Sequence, residues 1–243
     1  MPTDYRERIY SNYVHARKEV LCRPDVSSLR PRADYLCKLI SEFFPSDKNA
    51  RILDLGCGHG AILYFARQAG YKNCVGVDVS SEQIELGQKL GIQGIIQNDL
   101  MEYLRAQPAA SVDFVIAFDV IEHFTKSELL DFIDQVHRVL KSGGNWLIHT
   151  VNGESPFSGR MRYWDFTHEN CFTRASMAQI MKSSGFSSVE CYSDFMSMRR
   201  PTRWPRQWVW WLIQLFLRIW IMAETGDLSR PLLTQNFITI VYI

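Results

Sequence analysis

The stretch Ile52-Leu-Asp-Leu-Gly-Cys-Gly-His-Gly60 joins a short apolar run to a segment that favours a helix. Glycines at such a junction permit a sharp strand-to-helix turn and let a ligand lie directly on the backbone. In open α/β sheets, ligands bind in the crevice that this turn forms. Because Gly56, Gly58 and Ala61 also satisfy the dinucleotide fingerprint, an NAD-dependent oxidoreductase is one interpretation of the loop.

Three carboxylates bear on the kind of ligand. Asp54 stands two residues before the first glycine, where its charge would repel a pyrophosphate but attract an ammonium group. Asp78 follows an apolar run twenty positions after Gly58, where a carboxylate can accept two ribose hydroxyls. Asp99 follows a third short run and can meet an adenine amino group. Together they favour a cationic adenosine derivative over a dinucleotide.

Outward from the loop, apolar runs alternate with helix-forming segments, which predicts a parallel sheet with right-handed crossovers. Strands are predicted at residues 51–55, 74–79, 94–97, 112–118, 145–150, 189–192 and 236–243. Helices are predicted at residues 61–69, 81–90, 126–140 and 176–184, and Lys141-Ser-Gly-Gly144 is expected to close the third of these. Pro31 is expected to begin another helix that continues through Phe44.

Length and composition suit a single domain over residues 1–243. We divide it into an N-terminal helical arm (1–50), a cofactor-binding core (51–150) and an acceptor-side half (151–243) with a helical insertion at about 195–235. The net charge of +1 gives no general attraction to nucleic acid. The six cysteines form no C-x-x-C pair, and the polar N-terminus has no apolar signal segment, so we expect a reduced, cytoplasmic protein.

The segments ILDLGCGHG, VGVDVS, NDL, VDFVIAFDVIEHF and RVLKSGGNWLI resemble, in order, the motifs of class I S-adenosylmethionine (SAM)-dependent methyltransferases. The resemblance implies a doubly wound α/β fold: a seven-stranded mixed sheet in the order 3-2-1-4-5-7-6, with helices on both faces and strand seven antiparallel. It also implies that SAM is the cofactor. The implied contacts are Asp54, Gly56, Cys57, Gly58 and Gly60 at the methionine end, Asp78 and Val79 at the ribose, Asp99 and Leu100 at the adenine, and Asp119 and Val120 closing the pocket.

The acceptor side carries a second, less specific resemblance. Residues 152–168, with their Asp-x-Thr-His stretch, resemble bacterial methyltransferases of cell-surface polysaccharide and glycolipid biosynthesis. This implies O-methylation of a saccharide hydroxyl, carried on a nucleotide or a lipid. Substrate contacts are then expected from Asn152, Arg160, Arg162 and Tyr163.

A hydroxyl acceptor needs a base, and the candidates are His123 and His168. We hypothesise that His168 is the base and that Asp165 orients it, while His123 either packs beneath the cofactor or is the base itself. No metal is predicted, because no His, Cys and Asp residues share a spacing typical of ligands. The alternative is a hard cation, if the fold brings His123, Asp165 and His168 together. The open alternatives are another small acceptor (a quinone, a polyketide or an amine) and a non-catalytic protein of the same fold.

Residues 199–222, RRPTRWPRQWVWWLIQLFLRIWIM, place four arginines before a run that holds four of the seven tryptophans. Gln214 and Arg218 interrupt the apolar stretch, which is shorter than the roughly 20 residues that cross a bilayer. The segment is therefore expected to pack on its own core or on a second subunit, giving a monomer or homodimer. The alternative is an interfacial helix at the inner membrane surface.

Overall fold

A computed structural model of the chain describes Ile9 and residues 26–194, 204–226 and 228–243. The predicted helical arm before residue 26, apart from Ile9, lies outside the described residues, as do residues 199–203 of the arginine-rich segment.

The described strands form one seven-stranded sheet in the order β3-β2-β1-β4-β5-β7-β6, which confirms the predicted doubly wound mixed sheet. The strands are β1 (Arg51–Leu55), β2 (Asn73–Asp78), β3 (Ile95–Gln97), β4 (Val112–Phe118), β5 (Leu140–Val151), β6 (Ser188–Ser193) and β7 (Asn236–Tyr242). Pairing is parallel from β3 through β5, and β7 runs antiparallel to both β5 and β6. The carboxyl ends of β1 to β5 therefore meet at one edge.

Eight α-helices lie within the described ranges: α1 (Arg30–Phe43), α2 (Ala61–Gln68), α3 (Ser81–Lys89), α4 (Leu100–Ala106), α5 (Lys126–Val139), α6 (Ser158–Arg162), α7 (Arg174–Ser183) and α8 (Trp204–Thr225). Short 3-10 turns cover Val26–Leu29 and Ile121–His123. Pro31 lies in the first turn of α1, as predicted. The sequence patterns did not predict α4, which begins where the Asp99 carboxylate accepts the N–H groups of Met101 and Glu102.

Neighbouring residues of the central strands point to opposite faces of the sheet. Ile52 packs with Phe114 in a core that includes apolar side chains of α1 and α2. Leu53 packs with Val115 in a second core that includes side chains of α5 and α7. Both faces of β1 and β4 are thus buried, which explains why their sequences are continuously apolar.

The predicted closing turn after α5 is wrong. The helix ends at Val139, and β5 begins at once with Leu140. Pairing with β4 then jumps from Val112–Leu140 to Phe114–Asn145, so the intervening residues form an irregularity within the strand. Gly143, with φ of +77°, provides the left-handed residue that such a bulge needs.

Candidate active site

A cleft of about 530 Å³ opens at the carboxyl ends of the strands, beside the glycine loop. Most of the predicted cofactor-binding residues line it, together with His123. The lining residues are Gly56, Gly58, Asp78, Val79, Ser80, Gln83, Asp99, Leu100, Met101, Asp119, Val120, His123, Phe124 and Glu128.

At two positions of the loop, the backbone conformation and the close neighbours admit only glycine. Gly56 has a φ of +74°, and a Cβ there would lie 2.5 Å from Cγ2 of Val120. Gly60 has a φ of +85°, and a Cβ there would lie 2.9 Å from Cγ2 of Ile92. Of the loop glycines, Gly56 and Gly58 line the cleft, where a ligand can approach the backbone closely.

Asp54 lies behind this loop and is only 1% exposed. Within the described part of the chain, neither of its carboxylate oxygens has a hydrogen-bond partner. Burial, and next the charge of Asp78, raise the pKa of Asp54 to about 8. A buried carboxylate without a donor, beside a ligand cleft, fits a cationic ligand that supplies one.

Asp78 is held at the rim of the cleft by two backbone groups. Its Oδ2 accepts the N–H of Gly58 and its Oδ1 accepts the N–H of Ser80, both at 2.8 Å. Burial raises the pKa of this carboxyl, while these two bonds act to lower it. Because each carboxylate oxygen can accept more than one hydrogen bond, ribose hydroxyls can still be received.

Two other predicted cofactor residues have local roles in the fold. The side chain of Cys57 lies over Gly76 of β2, where an added Cβ would be 2.7 Å from the sulfur, and burial raises the pKa of the thiol. Oδ1 of Asp99 caps α4. The backbone of the loop therefore lines the cleft, whereas the Cys57 side chain does not. The contact of Asp99 with adenine stays a prediction.

An ion pair with the buried His149 holds the exposed Asp119 at the end of β4. Asp119 has a φ of +57°, and its Oδ1 lies 2.5 Å from Nδ1 of His149. The His149 ring stacks on Phe118 and its Nε2 lies 3.5 Å from the Asp194 carboxylate. Burial acts to lower the pKa of His149, but the charge of Asp119 and the hydrogen bonds to both carboxylates raise it to about 10. His149 is therefore protonated and holds Asp119 in a backbone conformation that is uncommon outside glycine.

A hydrogen-bonded chain runs from Asp165 to His123. The Thr167 hydroxyl lies 2.7 Å from Oδ1 of Asp165 and 2.8 Å from Nδ1 of His123. Because a carboxylate only accepts, the hydroxyl donates to Asp165 and so accepts from the Nδ1–H of His123. Burial, and next the neighbouring His168, lower the pKa of His123 to about 4. His123 is thus neutral, and a proton on Nδ1 would leave the lone pair on Nε2.

The second candidate base lies beside the first. His168 is 9% exposed, its Nδ1 lies 3.0 Å from the carbonyl oxygen of Met161, and its ring centroid is 4.8 Å from that of His123. The sequence hypothesis linked Asp165 to His168, whereas the hydrogen bonds link Asp165 through Thr167 to His123. Thr167 was missed because its role depends on a partner 44 residues away.

The fold also brings potential metal ligands together, which the sequence spacing did not suggest. Glu122, His123 and His168 each offer one possible ligand atom, and these three atoms lie within 4.8 Å of one another. The Glu122 carboxylate accepts from the Thr150 hydroxyl at 2.9 Å. Burial, and next the charge of Asp119, raise the pKa of Glu122 to about 8. The absence of a metal stays a prediction.

The predicted substrate residues divide into two groups. Asn152 is 1% exposed, and its amide binds the carbonyl oxygens of Leu232 and Thr234 at 2.7 Å. The side chain thus ties two segments of the fold together, and its contact with a substrate stays a prediction. Arg160 is instead exposed, and the half-buried Arg162 donates from its guanidinium to the Glu169 carbonyl oxygen at 2.7 Å.

The seven-stranded sheet with its antiparallel seventh strand, and the acidic glycine loop at its edge, define a class I methyltransferase fold. Residues 29–191 match the methyltransferase domain family, and the chain belongs to that family. Its cofactor is SAM.

Curated relatives are similar over part of their length. Cyclopropane mycolic acid synthase 3 of Mycobacterium tuberculosis is 27% identical over 147 residues, which cover 59% of this chain and 51% of the relative. Ubiquinone biosynthesis O-methyltransferase of Xylella fastidiosa is 26% identical over 170 residues, which cover 63% of this chain and 65% of the relative. The chain thus spans about half to two thirds of the length of these relatives.

Solved structures share the fold. A SAM-dependent methyltransferase from Archaeoglobus fulgidus has a TM-score of 0.69 at 20% identity, covering 98% of this chain and 99% of its own. Phosphoethanolamine N-methyltransferase 2 of Haemonchus contortus, solved with SAM, has a TM-score of 0.59 at 18% identity, covering 85% of this chain and 51% of its own. None of the helices in the described ranges combines the length and apolarity that a bilayer crossing requires.

Proposed function

We propose that this chain transfers the methyl group of SAM to a hydroxyl of a saccharide that is carried on a nucleotide or a lipid. The observation that carries the proposal is the Asp165–Thr167–His123 chain of hydrogen bonds, which ends at the wall of the cofactor cleft. A hydroxyl acceptor needs a group that takes its proton, and this chain of bonds prepares one.

His123 is proposed as that base. Its neutral form predominates near neutral pH, and its tautomer directs the lone pair to Nε2. As Nε2 takes a proton, the ring becomes positively charged, and the Asp165 carboxylate stabilises that charge through Thr167. When bound, SAM supplies an electrophilic methyl group on a positively charged sulfur. Asp54, Asp78 and the backbone of the glycine loop would hold it.

The stretch after β5 supports a saccharide that bears a phosphate. Phe157, Tyr163, Trp164 and Phe166 are between 49% and 81% exposed, although they are large aromatic side chains. Aromatic faces pack well on the apolar faces of sugar rings, and guanidinium groups bind phosphates in pairs of hydrogen bonds. Here the two arginines of the stretch lie over the Trp164 and Tyr163 rings, at 5.6 and 5.3 Å from the ring centroids.

A second candidate is methylation of a phenolic hydroxyl. It is favoured by the similarity to the ubiquinone biosynthesis O-methyltransferase, whose name gives an oxygen acceptor. A phenol loses its proton far more readily than a sugar hydroxyl, so this reaction depends less on a base. The two candidates therefore differ in how strongly they need His123.

The test is incubation with labelled SAM and three acceptor panels: nucleotide sugars, lipid-linked glycans and phenols. Label is expected in a sugar ether; label in the phenols alone would replace the first proposal with the second. With the acceptor found, His123→Ala is expected to lower kcat by about 10²- to 10⁴-fold and to leave SAM binding nearly unchanged. Thr167→Val should give a smaller loss, because it removes the link to Asp165 and leaves the imidazole.

His168→Ala is the matched control, since the two rings are neighbours and differ in their hydrogen bonds. It is expected to keep most of the turnover. If His168→Ala lost turnover and His123→Ala kept it, the base would be His168, as the sequence hypothesis had it.

A further inference from the structure

Helix α8 exposes an unusually apolar side. Trp208, Trp211, Leu212, Phe216 and Trp220 are each between 53% and 68% exposed. Further apolar residues of the same helix are exposed between them. At 1.5 Å per residue, a helix of 22 residues carries this surface over roughly 33 Å. Soluble monomers rarely expose so large a continuous apolar patch unless it contacts a partner.

Three polar side chains of α8 lie on its less exposed side. Gln207, Gln214 and Arg218 share one stripe, because their spacings of seven and four residues are close to whole helical turns. All three are half-buried, and Arg218 donates to the Gln214 side-chain oxygen at 3.2 Å. An ordinary surface helix turns its polar side to water, whereas α8 exposes its apolar side and partly buries this polar stripe.

The positive charge of the segment that contains α8 favours an anionic partner. Between residues 199 and 225 the sequence has five arginines and one glutamate, so this segment is basic although the whole chain has a net charge of only +1. Of these, Arg206 is exposed in the first turn of α8. Two copies of so basic a segment would repel each other, whereas anionic lipid head groups would attract it. Tryptophans and arginines beside an apolar face are also the residues that membrane interfaces favour.

We propose that the exposed face of α8 lies on the surface of an anionic lipid bilayer, with the helix in the plane of the head groups. The apolar side chains would enter the acyl boundary, while Arg206 would remain at the phosphates. The half-buried polar stripe would face away from the bilayer, so the helix would rest on the bilayer without crossing it.

The test is co-sedimentation of the full chain with vesicles of phosphatidylcholine, alone or mixed with phosphatidylglycerol. Stronger binding to the anionic vesicles is expected, and added salt should weaken it. The double variant Leu212→Glu with Phe216→Glu should bind roughly 100-fold more weakly, because each substitution removes an apolar anchor. Arg206→Glu should weaken binding to the anionic vesicles alone.

Leu130→Glu is the control, since Leu130 is 45% exposed on α5; its binding should match that of the unchanged chain. Calorimetric SAM binding verifies that each variant is folded. Failure to bind either kind of vesicle would overturn the proposal, as would unchanged binding by the double variant. A dimer that the double variant dissociates, without vesicle binding, would assign the face to a second copy.

Discussion

Replacing Asp54 with asparagine is expected to strengthen the fold and to weaken cofactor binding. The side chain is 1% exposed and has no hydrogen-bond donor within the described residues, so a negative charge on it would be uncompensated without a ligand. With a pKa raised to about 8, the folded chain holds a proton here that the unfolded chain releases. Stability is therefore lost as pH rises from about 4 to about 8, and asparagine removes that dependence.

The magnitude follows from the pKa. The pKa is 3.8 in the unfolded chain and about 8 in the folded chain, so stability falls over the roughly three pH units between 3.8 and 7. At 1.36 kcal/mol per unit, the stability lost by pH 7 is about 4 kcal/mol. A buried amide without partners costs about 1–3 kcal/mol itself, so a net gain on the order of 1–3 kcal/mol is expected. Loss of a hydrogen bond between the carboxylate and the SAM ammonium costs about 1.5–3 kcal/mol, or roughly 10- to 150-fold in Kd.

Urea unfolding at several pH values measures the first effect, and calorimetric titration with SAM measures the second. Asp113→Asn is the matched control, because the Asp113 carboxylate has ordinary partners, the Lys141 ammonium and the Arg51 N–H, each at 2.8 Å. That substitution should lower stability slightly and leave SAM affinity unchanged. The reasoning would be refuted if Asp54→Asn destabilised the chain, or if it bound SAM as tightly as the original.

Three further outcomes are expected. Asp78→Ala should lose most affinity for SAM and S-adenosylhomocysteine by calorimetry, at about 1.5–3 kcal/mol for each ribose hydrogen bond; unchanged affinity would rule out the ribose contact. The pKa of His149 is raised to about 10, so the protonated ring stabilises the fold fully below about pH 6.5, and this stabilisation is lost as pH rises through 10. In urea unfolding, His149→Gln should remove this dependence of the unfolding free energy on pH. EDTA should leave turnover unchanged, and a loss restored by magnesium or calcium would instead assign a cation to Glu122, His123 and His168.

The strands could be predicted because the apolar runs are local in sequence, and their order was implied by the resemblance to class I methyltransferases. Helix α4 could not, since Asp99 was interpreted only as a ligand contact, whereas the same carboxylate also caps a helix. A short polar side chain at a strand end suits both tasks, and composition does not separate them.

The arrangement of the acceptor side was harder to predict. His149 lies within a buried strand, and only the pairing of β4 with β5 brings it to Asp119. Asn152 was assigned to a substrate although its partners, Leu232 and Thr234, lie some eighty residues further along. Such contacts depend on the closed fold, which no local pattern encodes.

The antiparallel strand β7 has a consequence for synthesis in the cell. It fills the gap between β5 and β6, yet 42 residues separate Ser193 from Asn236, and the apolar helix α8 lies between them. At about 5–20 residues per second, a ribosome leaves β6 unpaired and β5 with an open edge for roughly 2–8 s while α8 emerges. Unpaired edges and apolar helices both invite aggregation, so we expect a strong need for chaperones during this interval.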